Sequence, residues 1–299
     1  MLAASAGAQR RDSLRAMSKV IPLRYGTAFK KAFGDAEVFS RFASDVLGVP
    51  IHIEAVHQEY SYEGPVGRVK VAYDLFGEDV EHRIVVELQH IREQDFFARF
   101  LHYHVVSIAE QARTHEDYRS ERTVYTVVVL TTAPRARDLR FSVAVSEMDP
   151  VSEQGQRLGV YRHRLVFLNP KVINDQTPPA ARRWMELIAD SLDGEVEDAH
   201  YPDPLMKRVL GAIRDEELSP EELARIKDES AWENAKRDAA HDAIVEHARV
   251  TLTMLVRAVG LPLDEAALAR IDACDDGATL QRWTLRVPSA KSVAELFED

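Results

Sequence analysis

The chain has 299 residues, 45% of them hydrophobic and 29% charged, and no apolar run approaches the roughly eighteen residues that a membrane span requires, so a soluble protein of one large or two ordinary domains is expected. One cysteine, Cys274, excludes an intramolecular disulfide framework and a cysteine-based zinc site and makes a reducing cytoplasm the natural compartment. The net charge of −11 opposes a phosphate-binding surface, yet it is concentrated: Glu186 to Glu229 holds fourteen acidic and five basic residues, a net of −9, which leaves −2 for the rest of the chain.

The opening residues 1–18 lack the continuous apolar core of a signal peptide and are expected to be a disordered extension, with Met17 an alternative start. A basic cluster of Arg10, Arg11, Arg15, Lys19, Arg24, Lys30 and Lys31 is open either to phosphate binding or to plain solvation. Phe29 and Phe33, then Phe39, Phe42, Ala43 and Val46, recur at helical spacing and predict two helices, the second capped by Asp35 and stopped by Gly48 and Pro50. Two alternating strands, "IHIEAVHQEY" and "GRVKVAYDLF", are joined through Gly64, Pro65 and Gly67, and the strand "HRIVVELQ" comes next. In the helix "DFFARFLHYHVVSIAEQAR" the apolar stripe is predicted to be Phe97, Phe100, Leu101, Val105 and Ile108, with Arg99, Tyr103 and Glu110 on another side. "TVYTVVVLTT" is apolar throughout, as a strand buried on both faces would be, and "HRLVFLN" is a further strand.

The stretch from Tyr73 to Gln89 carries the chemistry. Its arms, Tyr73 to Gly77 and His82 to Gln89, predict a β-hairpin in which Glu87 and Gln89 share a face, because successive strand side chains alternate. Asp74 is unusual inside a strand and lies on the pairing arm, and two carboxylates on adjacent strands make a hard-oxygen site suited to Mg²⁺. A tight turn at Glu78 and Asp79 would set Asp74 opposite Arg83, four residues from Glu87; a wider turn or a bulge would shift that register. No Gly-rich phosphate loop, nucleophile elbow or H-E-x-x-H sequence occurs, and His102 and His104 diverge by about 200° on their helix, too far apart to grip one ion.

In "FKKAFG", in "YD" followed by "VVELQ", and in "FFARFLHYHVVSIAEQ", the segment from about Leu23 to Lys171 resembles the PD-(D/E)XK nuclease-like transposases, also known as the recombination-promoting nuclease family. The resemblance implies an α/β, restriction-endonuclease-like core over residues 19–176, with a mixed central sheet flanked by helices. It also implies a DNA endonuclease of recombination or mobile-element type that needs Mg²⁺ or Mn²⁺. Asp74 and Glu87 would be the metal-binding acids with the Leu88 carbonyl beside them, and Gln89 would stand where the wider superfamily has lysine. The implied chemistry is hydrolysis by water that the ion activates, and it is slow, since an amide cannot act as a base. Lysine at position 89 should then preserve or raise activity. Relatives often carry an acid just before "FK", where this chain has Gly26, and Asp35 and Glu37 are the weak substitutes. Arg99 and Tyr103, one turn apart, could face a phosphate together with Lys30 and Lys31.

Residues 177–299 are helical and acidic, with Trp184, Trp232 and Trp283 expected in cores. A stripe of Ala240, Ile244, Ala248, Leu252, Leu255 and Val259 is spaced for packing against another helix, in this chain or in a homodimer. An interaction protein that keeps the nuclease fold without catalysis and works through this helical half is the alternative function.

Overall fold

The computed structural model describes residues 17–62, 71–90, 96–112, 120–133 and 140–298. The predicted loop at Gly64 to Gly67 and the first sixteen residues lie outside them. Met17 and Ser18, expected in the extension, instead belong to β1 (Met17–Lys19), which pairs antiparallel with β8 (Glu195–Glu197).

The main sheet has six strands: β2 (Val56–Tyr60), β3 (Tyr73–Glu78), β4 (His82–Gln89), β5 (Thr123–Leu130), β6 (Val143–Glu147) and β7 (Arg164–Leu168). Their order is β2-β3-β4-β5-β7-β6, with β4, β5 and β7 parallel and the other neighbours antiparallel, a mixed sheet. β5 lies at the middle and is buried along nearly its whole length, which is why its sequence is an unbroken apolar run instead of an alternating one. β6, which the sequence reading missed, is an edge strand.

One face of the sheet is covered by α1 (Gly26–Phe33), α2 (Ala36–Leu47), α4 (Pro179–Asp190) and α5 (Pro204–Ala212), whose Phe29, Phe33, Phe42 and Trp184 share a core with Leu75, Val86 and Val127. Asp35 caps α2 as predicted, accepting from the Glu37 and Val38 N–H groups, and Gly48 ends it at a φ of 69°, where glycine carries no Cβ penalty. Because Trp184, Met185 and Ile188 belong to this same core, the boundary expected at residue 177 falls within it; the chain divides instead into compact units Met1–Glu229 and Ser230–Asp299.

The other face carries α3 (Phe96–Ala109), and here Phe100 alone of the predicted stripe is fully buried. Phe97, Leu101 and Val105 are 46%, 50% and 42% exposed, whereas Phe100, His104, Val106 and Ser107 are buried. Polar groups on the inner face bond to the sheet: His104 Nδ1 meets Thr126 Oγ1 at 2.9 Å, and the Ser107 carbonyl accepts from Arg83 at 2.8 Å. A hydrophobic period cannot register a buried face built from histidine, serine and arginine.

Burial, and secondarily the charge of His163, push the His104 imidazole down to about 4. Between that value and the ordinary one near 6.5, the unfolded chain binds a proton that the folded chain does not, so stability rises with pH there. His104 is therefore expected to cost about 3 kcal/mol of stability as pH falls from 7 to 4. Urea titrations of wild type and His104→Gln across this range should converge at acid pH, and parallel curves would refute the assignment.

The second unit packs Val245, Leu252 and Val256 of α6 (Pro220–Ala258) against α7 (Glu265–Asp272) and α8 (Gly277–Arg286) through Ile271, Leu280 and Trp283. This is a neighbouring stripe to the predicted one: Leu252 is buried, but Ile244, Leu255 and Val259 are exposed by 65%, 40% and 50%. Trp232, expected in a core, is 53% exposed and stacks under Lys236.

Candidate nuclease site

The hairpin decides whether two acids meet. β3 and β4 pair as Leu75↔Val86 through Glu78↔Arg83, because the chain reverses at Val80 and Glu81, two residues later than a turn at Glu78 and Asp79 would, with the Asp79 N–H donating to the His82 carbonyl at 3.0 Å. The Asp79 carboxylate fixes this reversal by accepting from the Glu81 and His82 N–H groups at 2.8 and 2.6 Å. One step beyond Leu75 that register sets Asp74 opposite Glu87, where directly opposed side chains stand about 5 Å apart at Cβ.

The strand ladder gives way at this point to side-chain contacts. The Asp74 N–H donates to Glu87 Oε1 at 3.1 Å, and the Leu88 N–H donates to Asp74 Oδ2 at 2.9 Å. A residue's N–H and C=O leave a strand on the same side, so the Leu88 carbonyl points toward β3. The Gln89 carbonyl, one residue on, faces β5 and accepts from the Thr131 N–H at 3.1 Å.

Glu87 is 5% exposed, and Asp74 is half-buried. Burial first, and then the charge of Asp74, hold the Glu87 carboxyl well above the ordinary carboxylate range; burial likewise raises Asp74. Arg99 and Lys30 are the nearby cations that act against both shifts.

The remaining predicted residues separate. Arg99, in the first turn of α3, donates to Gln89 Oε1, so the amide oxygen holds a guanidinium. Tyr103 turns into aromatic packing instead, edge-on to Tyr73 at 5.8 Å, while its backbone carbonyl accepts from the Tyr73 hydroxyl at 3.1 Å. Lys30 pairs with Glu59 at 2.6 Å beside the acids. Lys31 points elsewhere, to Glu222 at 2.7 Å and the Glu217 carbonyl at 2.6 Å. Asp35 and Glu37 are held by Arg208, at 3.1 and 3.0 Å, and do not join the acid pair. Glu59 was missed because "HQEY" looks like the solvent side of an edge strand, and nothing local says that β2 lies beside Asp74.

Because Gln89 anchors Arg99, Gln89→Lys would set an ammonium against the guanidinium, and like charges in contact are unfavourable. This substitution is expected to lower cleavage by roughly ten-fold or more, against the sequence-based expectation. A folded Gln89→Lys protein that cuts DNA as fast as wild type would overturn that role for the amide.

Two clefts of about 600 and 680 Å³ flank Glu81 and His82 at the opposite end of β4, and neither includes Asp74 or Glu87.

A mixed sheet flanked by helices, with an acidic pair facing across the neighbouring strands β3 and β4, defines a restriction-endonuclease-like α/β protein. The chain belongs to the PD-(D/E)XK nuclease family transposases, whose family pattern matches residues 28–243. No curated protein and no solved structure matches it significantly. Membership makes nuclease-type hydrolysis the class of activity and DNA the class of substrate, and nucleases of this kind generally use divalent metal ions. Among the described residues no helix is long and apolar enough to cross a membrane.

Proposed function

We propose that this protein is a DNA endonuclease of transposase or recombination-promoting type that uses Mg²⁺ or Mn²⁺ and acts in the cytoplasm. The observation that carries the reading is the cross-strand exchange in which Glu87 Oε1 accepts from the Asp74 N–H at 3.1 Å and Asp74 Oδ2 accepts from the Leu88 N–H at 2.9 Å. A buried and a half-buried carboxylate that repel one another are unfavourable as a pair of anions unless a proton or a cation neutralises them, and two carboxylates plus a backbone carbonyl are the hard-oxygen donors that Mg²⁺ accepts.

Asp74, Glu87 and the Leu88 carbonyl would hold the ion, which supplies a Lewis acid for water and phosphate. Arg99, fixed by Gln89, is aimed to take a phosphate oxygen, since a guanidinium remains charged and donates in a planar fork. Gln89 itself serves orientation and accepts no proton.

Incubation of supercoiled plasmid with the purified chain tests this. Nicking should require Mg²⁺ or Mn²⁺ and stop with chelator. Intact plasmid with either metal would shift the reading to the interaction protein.

A further inference from the structure

Two consecutive residues of β2 grip one residue of α1. Gln58 Nε2 donates to the Lys30 carbonyl at 3.2 Å, and Glu59 Oε1 takes the Lys30 ammonium at 2.6 Å. Gly34 makes this approach possible, because a Cβ there would lie 2.6 Å from the Lys30 oxygen and 2.8 Å from the Gln58 amide. In a regular strand neighbouring side chains leave on opposite faces and could not converge in this way. Glu59 manages it with a φ of 53°, the only positive φ at a non-glycine residue among those described. It does so between the pairs Gln58↔Leu75 and Tyr60↔Tyr73, and thus directly beside Asp74.

Magnitudes argue against a purely structural purpose. A non-glycine residue in the left-handed region costs about 1–2 kcal/mol. An ion pair as exposed as this one, with the Glu59 side chain 67% accessible, returns about 0–1 kcal/mol. Glycine at position 59 would be the more stable choice, so the strain is retained for what it holds in place. What it holds is a lysine whose side chain is only 15% accessible and whose charge bears on both acids.

We infer that Lys30 is a catalytic residue that contacts the scissile phosphate beside Asp74 and Glu87, and that Glu59 is a positioning residue that aims its ammonium there. The inference rests on the nuclease reading and supplies the cation that Gln89 cannot. Lys30 and Arg99 then approach the phosphate from α1 and α3, with the acid pair between them on the sheet.

The full-length chain is tested for plasmid cleavage in Mg²⁺ and, independently, for Mn²⁺ affinity by calorimetry. Lys30→Gln should lower kcat by roughly 100-fold with little change in KM, as loss of one preorganised transition-state donor does. Lys30→Arg should recover most of the rate, and Glu59→Gln should lose about ten-fold. Removing a cation beside the acids should also tighten Mn²⁺ binding in Lys30→Gln, by roughly five-fold, so that affinity and activity move in opposite directions. Glu59→Gly should raise Tm while lowering kcat, as release of strain held for function requires.

Wild-type kcat in Lys30→Gln, alongside an inactive Asp74→Ala, would overturn the inference and leave the nuclease reading intact. Full activity in Asp74→Ala would overturn that reading, and unchanged Mn²⁺ affinity in Lys30→Gln would then dispose of the inference separately. A Glu59→Gln protein with the wild-type rate would remove Glu59 from the scheme.

Discussion

Glu87→Gln is expected to leave the protein better folded and catalytically dead. In the metal-free chain burial and the Asp74 charge raise the Glu87 carboxyl, so the folded state keeps a proton that the unfolded state releases above the ordinary carboxylate range. The sign follows from linkage: where the folded state binds more protons, stability falls as pH rises, here from the ordinary range up through the raised folded value. An amide cannot ionise, so Glu87→Gln escapes this loss and should be more stable than metal-free wild type at neutral pH. Cleavage should fall by at least about a thousand-fold, since a metal ligand that stabilises several kcal/mol of transition-state charge is gone. Thermal melts with and without Mg²⁺ join the two effects: the ion should stabilise wild type and leave the variant unmoved. A variant that melts lower without metal, or that still gains stability from Mg²⁺, would show that Glu87 is not a strained ligand. Asp74→Ala should likewise abolish cleavage.

Leu252→Glu should unfold the second unit and nothing else. Leu252 is fully buried in the cluster formed by Val245, Val256, Ile271, Leu280 and Trp283. Truncating such a leucine costs about 2–5 kcal/mol, and burying a carboxylate without a partner adds to that. A unit of this size has about 4–10 kcal/mol of stability in total. Hydrogen exchange on the full chain should show α7 and α8 losing protection while β4 and β5 keep theirs. Leu255→Glu, at a position 40% exposed, should be tolerated by the fold. Equal protection in Leu252→Glu and wild type would contradict the core assignment. A homodimer, if one forms through α6, must use the exposed Ile244, Leu255 and Val259, because Leu252 is already taken.

Much of the fold could be read along the chain. The helices α1 and α2, the hairpin arms and the strands β5 and β7 are written in short-range periodicity and caps, and these depend on neighbours within a few residues: Asp35 and Gly48 bound α2, and the unbroken run in β5 announces a strand covered on both faces. The candidate acids were legible for a similar reason, since an aspartate inside a strand-like run is locally anomalous whatever surrounds it. Which residues face one another was decided elsewhere. The Asp79-stabilised turn set the register that brings Asp74 to Glu87, and the order of strands set β2, and with it Glu59, beside them. The same holds for α3, whose buried side is chosen by hydrogen bonds to the sheet from His104 and by the Ser107 carbonyl, and for α6, whose packing face is chosen by α7 and α8. Local sequence determines which element forms, because backbone geometry and capping act over one or two turns; partners across the sheet determine what each element buries and which side chains become a site, because burial and electrostatics act through space between residues far apart in the chain.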